Sequence, residues 1–379
     1  MQQASILSGI PLFFAEWSRR TLMTIVADIV SDAPEFRRAV QAQQAYRPVY
    51  VKIKLMFGCN LKCEMCNHWR ETREPPLSID RFRAVLAELA ELGCRKIHFS
   101  GGEPLLRPQV PDLIALATQL GMRATLTTNG TLVDKDLARR LIEAGLRGVN
   151  LSIDSPDRKV HDRVRGERGA WKKSTRAVEY LRKYAHKGKV TIRLNTVVSR
   201  SNYTSLGPLP DFAHGLGADA INLIAVDDHC GEHLSPRRRD IEIYNREIAP
   251  GLAARALELG LITHEAQAYP FGRSEVDVKR ARRGEYAFGW YAAHPCYAPW
   301  MHSLIDFNGL VYVCCMTREQ IPPIGDLKRA SFREIWMGAG YQAIRQLMHP
   351  PALKPCQRCD DFLVENGELW KMVEEGNDE

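Results

Sequence analysis

Residues 51–66 read Val51-Lys52-Ile53-Lys54-Leu55-Met56-Phe57-Gly58-Cys59-Asn60-Leu61-Lys62-Cys63-Glu64-Met65-Cys66, an apolar run that leads straight into three cysteines spaced C-x3-C-x2-C. The run reads as a strand and the cysteines as the loop that leaves it. Three thiolates close together, with no fourth, leave one metal position open. A cubane [4Fe–4S] cluster takes four thiolates, one per iron, so three leave one iron free for another ligand. An open position marks a catalytic metal site rather than a structural one. A disulfide reading is weak, because three is odd and the loops are too short to close usefully. Zinc is the serious competitor, and His68 is near enough to be its fourth ligand. The triplet alone favours iron–sulfur by a modest margin.

Working outward, strand-like and helix-like stretches alternate. Candidate strands are 51–56, 96–99, 124–127, 148–153, 190–196 and 220–226, short and rich in Val, Ile and Leu, as strands buried on both faces should be. Helical patterns span about 78–92, 110–120, 135–144, 171–186 and 203–216. Ser78 is the expected N-cap of the first, and Gly93, Gly121, Gly145, Gly188 and Gly217 follow as C-terminal stops. Such alternation means a parallel sheet with right-handed crossovers. Six units are too few for a closed eight-stranded barrel. The expected fold is therefore α/β, a partial (β/α)6 barrel, with functional residues at the carboxyl ends of the strands.

Those ends carry a consistent set. Ser100-Gly101-Gly102-Glu103-Pro104 follows the second strand and Thr127-Thr128-Asn129-Gly130-Thr131 the third. Ser152 and Asp154 end the fourth, with Arg165 a few residues on; Asn195 lies on the fifth, and Asp227-Asp228-His229 closes the sixth. Each alone has a plain reading, as a tight turn or a cap. Together they put acceptors, donors and a metal loop on one rim.

The cysteine loop after strand one, with Gly101-Gly102-Glu103-Pro104 after strand two, resembles the radical S-adenosylmethionine (SAM) superfamily over about residues 48–228. The resemblance implies that SAM chelates the open iron through its amino and carboxylate groups. Gly101, Gly102, Glu103 and Pro104 would then hold the methionyl ammonium, and Ser152 and Arg165 the carboxylate. Thr128 and Asn195 would lie near SAM or its ribose. In the family a one-electron reduction of the sulfonium releases a 5′-deoxyadenosyl radical, which takes hydrogen from an unactivated carbon. One departure is Met65, where the family usually has an aromatic; Met can fill the same apolar space.

A second cysteine group follows. Cys296, Cys314, Cys315 and the pair Cys356-x2-Cys359 flank an Asn308-Gly309 hairpin signal. Four thiolates suit a closed second cluster, or a zinc ribbon. The region resembles the SPASM/Twitch auxiliary-cluster modules of radical SAM proteins, with Cys296, Cys314, Cys356 and Cys359 implied as ligands of an auxiliary [4Fe–4S] cluster. Full SPASM modules add a cysteine where this chain has Glu365, so one auxiliary cluster is expected. Cys315 competes with Cys314, and the Gly309-x4-Cys314 spacing favours Cys314. Cys94 and Cys230 read as spare.

Composition narrows the class. Lys+Arg 52 against Asp+Glu 45 gives +7, a mild balance that fits an anionic substrate and no nucleic-acid surface. The densest basic run, 279–283, reads as an exposed helix turn. Ten cysteines in 379 residues are too few for a disulfide scaffold, and their clustering suits a reducing cytoplasm. The apolar run 6–15 is far short of the ~20 residues a membrane span needs. Residues 5–45 read as one or two amphipathic helices broken at Ser31 or Asp32. Leu12-Phe13-Phe14 and Trp17 are expected to pack beneath the main domain, with a membrane-surface role as the alternative.

The expected organisation is an N-terminal helical extension (1–47), the partial barrel (48–228), a connecting segment forming much of the substrate pocket (229–290) and an auxiliary-cluster domain (291–379). Tyr269, Phe271, Tyr286, Trp290 and Tyr291 are either pocket or core. The expected activity is dehydrogenase-like: hydrogen abstraction from a small molecule such as a sugar or cyclitol, an electron leaving through the auxiliary cluster, and a flavodoxin- or ferredoxin-type donor. Asp227, Asp228 and His229 are the base candidates. Peptide modification is the alternative enzyme reading, against which the short N-terminal extension counts. A non-catalytic zinc-binding interaction protein is the alternative outside enzymes.

Overall fold

In the computed structural model, residues 25–71, 73–185, 189–228, 231–359 and 361–375 are described. The expected positions Leu12-Phe13-Phe14, Trp17, Gly188, His229 and Cys230 lie outside them.

Six parallel strands form as read: β1 (Tyr50–Lys54), β2 (Lys96–Ser100), β3 (Arg123–Thr128), β4 (Gly148–Ser152), β5 (Thr191–Val198) and β6 (Ala220–Ala225). Each pairs with the next in parallel. Helices fill the crossovers. Among the described residues, two short ones, α1 (Ile25–Val30) and α2 (Ala33–Gln41), precede the sheet, broken at Ser31–Asp32 as expected. Helix α3 (Ile79–Glu91) starts where the Ser78 hydroxyl accepts the Arg81 amide at 3.1 Å. It stops before Gly93, whose φ of 83° suits glycine. Helices α4 (Val110–Gln119) and α5 (Lys135–Glu143) follow.

Two helices depart from the reading. The stretch Arg158–Val164 forms its own helix, α6, capped by Asp157, whose carboxylate accepts the amides of Lys159 and Val160 at 2.7 and 3.0 Å. Helix α7 (Ala170–Tyr184) follows it. The expected helix 203–216 is instead a 3-10 turn (Tyr203–Ser205) and a short α8 (Leu209–Gly215). Pro208 has no amide hydrogen to continue a helix begun at 203, and it stands instead as the N-cap of α8.

The strands are not buried on both faces. Burial alternates along β1, β3 and β5, with fully buried residues at every second position. Val51, Ile53, Phe99, Leu126, Leu151 and Leu194 share one core with Phe82, Val85, Leu86, Leu89 and other helix residues. The opposite face carries Lys52, Lys54, His98, Thr125, Thr127, Asn150, Arg193 and Asn195, mostly half-buried. It is the inner face of a partial barrel.

The C-terminal segment does not stand apart from the sheet. Strand β7 (His302–Ile305) pairs in parallel with β1, and the Asn308-Gly309 turn returns β8 (Leu310–Tyr312) antiparallel to it. With β9 (Gly325–Asp326) the order is β6-β5-β4-β3-β2-β1-β7-β8-β9. Helices α1 and α2 pack against this segment. Ile29, Phe36 and Val40 share a core with Tyr297, Trp300, Met301, Leu369 and Val373.

Candidate active site and two thiol clusters

The loop leaving β1 is held by the loop leaving β2. The Gly102 amide donates to the Met56 carbonyl and the Glu103 amide to the Gly58 carbonyl, both at 3.0 Å. A Cβ on Gly102 would overlap the carbonyl oxygens of Phe57 and Gly58. On Gly101 (φ 142°) it would lie 2.5 Å from the Met56 oxygen. The two glycines thus let backbone press on backbone and shape the cysteine loop itself.

Glu103 is fully buried and ties in the third strand end. Its carboxylate accepts the Thr128 hydroxyl at 2.7 Å, the Asn129 amide at 2.8 Å and the Leu105 amide at 3.0 Å. Burial pushes its carboxyl up to about 7 despite these donors. The Asn129 side-chain amide in turn donates to Asn60 at 2.9 Å and lies 3.9 Å from the Cys59 sulfur. Thr128 and Glu103 therefore reach the cysteine loop through Asn129, a residue that sequence reasoning left without a role.

The three thiols share a small cluster with Leu61, Met65 and Ala170. Met65 fills apolar space beside the cysteines. Burial pushes the Cys59 thiol up to about 11 and raises Cys63 as well. Cys63 lies 3.8 Å from the Arg165 guanidinium. Arg165 is the C-cap of α6, and its Nε stands 2.7 Å from the Asp154 carboxylate at the end of β4. That contact is an ion pair rather than an aligned hydrogen bond, and both groups are buried. Asp154 also accepts the Val197 amide at 3.0 Å. Burial raises the Asp154 carboxyl, with Arg165 opposing. On Arg165 burial works against the charge, but Asp154 and Cys63 outweigh it, and the guanidinium stays charged. Asp154 is thus the residue that aims Arg165. A carboxylate at a strand end followed by a short capped helix is the signal that could have found it.

Ser152, Asn195 and Asn222 stand side by side in register on adjacent strands, with the Asn222 amide 3.4 Å from the Asn195 oxygen. His68 stacks on Phe57 at 4.7 Å, with Nδ1 3.1 Å from the Cys66 sulfur. Among the described residues, no three His, Cys, Asp or Glu side chains gather tightly enough for a single metal ion. Tetrahedral zinc would need its sulfurs within about 3.8 Å of one another. A [4Fe–4S] cluster takes one thiolate per iron and so needs no such convergence on one ion.

The second thiol group assembles from three segments. Cys314, Cys356 and Cys359 are buried and Cys296 half-buried. Burial pushes Cys296 and Cys356 up to about 12; Cys356 then adds to the rise at Cys296, and Cys314 to that at Cys356. Buried Asn366 donates to the Cys296 sulfur at 3.7 Å. Cys315 turns away to the inner face of the barrel, where the Lys52 ammonium donates to its sulfur at 3.0 Å.

At the sixth strand's end, Asp228 is committed to the following turn, accepting the amides of Glu232 and Leu234 at 3.0 and 2.7 Å. Asp227 is exposed and lies 3.5 Å from Arg358 in the Cys356-x2-Cys359 loop. Of the five aromatics, Tyr269, Phe271, Trp290 and Tyr291 are core residues, and the Tyr286 hydroxyl donates to the Val226 carbonyl at 2.8 Å. The 450 Å³ surface cavity beside Tyr269, lined by Asn245, Glu265 and Arg273, includes none of the cysteines or strand-end residues.

Comparison with known proteins agrees with this architecture. The family model of the Radical SAM superfamily matches residues 53–197, and that of the SPASM iron–sulfur cluster-binding domain matches residues 296–360. The chain thus carries a radical SAM domain and a SPASM domain, and those domains imply SAM and [4Fe–4S] clusters. The AdoMet-dependent heme synthase of Oleidesulfovibrio alaskensis is 35% identical over 171 residues, 45% of this chain and only 43% of that protein. That of Methanosarcina barkeri is 28% identical over 329 residues, 83% of this chain and 88% of that protein. The PqqA peptide cyclase of Granulibacter bethesdensis is 27% identical over 83% of this chain and 80% of its own length. In fold, the chain is similar to Streptococcus suis SuiB bound to S-adenosylmethionine (TM-score 0.59, 17% identity, 84% of this chain and 70% of that one). No helix among the described residues is long and apolar enough to cross a membrane.

Proposed function

We propose that the chain cleaves SAM reductively and abstracts hydrogen from a small-molecule substrate in a net oxidation. Cys59, Cys63 and Cys66 would hold the first [4Fe–4S] cluster, and Cys296, Cys314, Cys356 and Cys359 an auxiliary one. When bound, the first cluster with SAM supplies a 5′-deoxyadenosyl radical, and the second an electron acceptor. The observation that carries the reading is the packing of the cysteine loop on the Gly101–Glu103 backbone, beside a buried arginine aimed by Asp154.

The chain's own residues then have these roles. The Gly101-Gly102-Glu103-Pro104 backbone positions the ammonium end of SAM. Arg165, charged and fixed, binds the SAM carboxylate with the Ser152 hydroxyl. Asn195, one strand over from Ser152, would lie near SAM or its ribose. Glu103 and Thr128 act through Asn129 as positioning residues. For the base, Asp227 is the better candidate of the two described aspartates, since backbone amides occupy Asp228. A flavodoxin- or ferredoxin-type protein would supply the reducing electron.

Peptide modification is the second reading, favoured by the 27% identity to a PqqA peptide cyclase across 80% of that protein. Anaerobic reconstitution should give about eight irons per chain. Deuterium from the correct labelled substrate should appear in 5′-deoxyadenosine. Stoichiometric zinc in place of iron, or no SAM cleavage by the reduced protein, would sink the proposal. Transfer only from peptide substrates would decide for the second reading.

A further inference from the structure

Strands β1 to β6 contain no aspartate or glutamate, yet Lys52, Lys54, Lys96, His98, Arg123 and Arg193 all stand at inner-face positions. Three of these are accounted for. Arg123 pairs with Asp28, and Lys52 donates to Cys315. His98 spends both ring nitrogens on the Thr125 and Thr127 hydroxyls, each at 2.8 Å. Lys54, Lys96 and Arg193 remain, and none meets a carboxylate within ion-pair distance among the described residues. The Lys54 ammonium is 3.4 Å from His68 Nε2. That of Lys96 lies 4.6 Å over the Tyr50 ring. The Arg193 guanidinium meets no hydrogen-bond acceptor among the described residues.

Strand register places these cations relative to Ser100 and Ser152, which would lie near SAM. Lys54 pairs with Ser100, and Asn150 with Arg193. Ser152 pairs with Asn195 two residues further on, so Arg193 lies about 7 Å deeper along the sheet. Burial pulls Lys54 and Lys96 down to about 8; Arg318 adds to the first shift, and Glu365 opposes the second. Glu365, on the helix Leu363–Glu375, thus offsets one of the three cations, and Asp306 near Lys54 is already paired with Arg318 at 2.6 Å. Unpaired cations on a half-buried strand face are costly unless an anion completes them.

We propose that the inner face of the barrel is an oxyanion seat in which Lys54, Lys96 and Arg193 bind carboxylate or phosphate groups of the substrate. The substrate is then a molecule bearing more than one such group, with Arg193 the bidentate donor. This rests on the radical SAM reading for what the seated molecule undergoes, but not for its binding. The bland alternative is a set of cations that water satisfies.

Calorimetric titration of the reconstituted protein at low salt tests the seat, with citrate, inorganic pyrophosphate and neutral sucrose as probes. One or both anions should bind and sucrose should not. R193Q and K96Q, each first checked for an intact fold by circular dichroism, should weaken anion binding at least tenfold, and R193K should recover part of it. Citrate alone binding assigns carboxylates; pyrophosphate alone assigns phosphate. No anion binding by the wild type, or binding unchanged in both variants, overturns the seat. SAM cleavage, followed separately as 5′-deoxyadenosine, distinguishes this from failure of the proposed function. Cleavage without anion binding refutes only the seat; anion binding without cleavage refutes only the radical reading.

Discussion

Replacing Asp154 with asparagine should be among the most damaging single-atom changes in the barrel. The substituted amide would keep an oxygen for the Val197 N–H but would lose the charge that faces Arg165 at 2.7 Å. Asp154 is 0% exposed and Arg165 9%, so water cannot take over. Breaking a buried pair from one side leaves an uncompensated charge and costs about 3–5 kcal/mol. For a cooperative chain of 379 residues that lowers the melting temperature by about 4–6 °C. The variant D154N/R165Q removes both charges and should regain most of that loss, so a double-mutant cycle should show strong coupling. The measurement is thermal and urea unfolding of the metal-free protein for wild type, both single variants and the double. In the iron-loaded protein the loss should be smaller, because Cys63, 3.8 Å from Arg165, is held there as a thiolate. If D154N unfolds within about 1 kcal/mol of wild type, or the double variant is no better than the worse single one, Asp154 does not hold Arg165 and its positioning role fails.

Four further outcomes follow from the same contacts. G102A forces a methyl group into the Phe57 and Gly58 carbonyls; iron analysis should show the first cluster lost and the auxiliary one kept, about four irons per chain instead of about eight. C314A should also lose about four irons, whereas C315A should keep about eight, since its sulfur faces Lys52. Glu103, pushed from 4.5 up to about 7 by burial, holds its proton more tightly folded than unfolded, so its ionisation costs stability. That cost is absent below pH 4.5 and complete above about pH 7, so wild type should lose about 3 kcal/mol relative to E103Q across that window in parallel denaturant melts. D228N should reduce turnover less than D227N in the 5′-deoxyadenosine assay, because Asp228 serves the turn; equal and complete loss in both would put the base role back on Asp228.

What could be read in advance follows how local the physics is. Strand β1, α3 and the cysteine loop are set by near-neighbour chemistry: an apolar run, a serine cap, a glycine stop, thiols in one short loop. Those emerge within a residue or two of where the chain indicates them. The Tyr-Val-Lys-Ile-Lys alternation of β1 was equally local, and its period of two already separates a helix-covered face from a polar inner one. Treating the strands as buried on both faces hid the inner lysines among the hydrophobic positions. Contacts between distant segments are a different matter. The pairing of β7 with β1, the contact of Cys315 with Lys52, and Asn129 bridging Glu103 to Cys59 each depend on segments tens to hundreds of residues apart, which no spacing reveals. The glycines of Gly101-Gly102 mark the boundary between the two cases. Their need for room was visible, but the object needing it is the β1 loop backbone rather than a ligand. A glycine pair after a strand therefore announces a close approach without naming the partner, and here the partner is the loop that carries Cys59, Cys63 and Cys66.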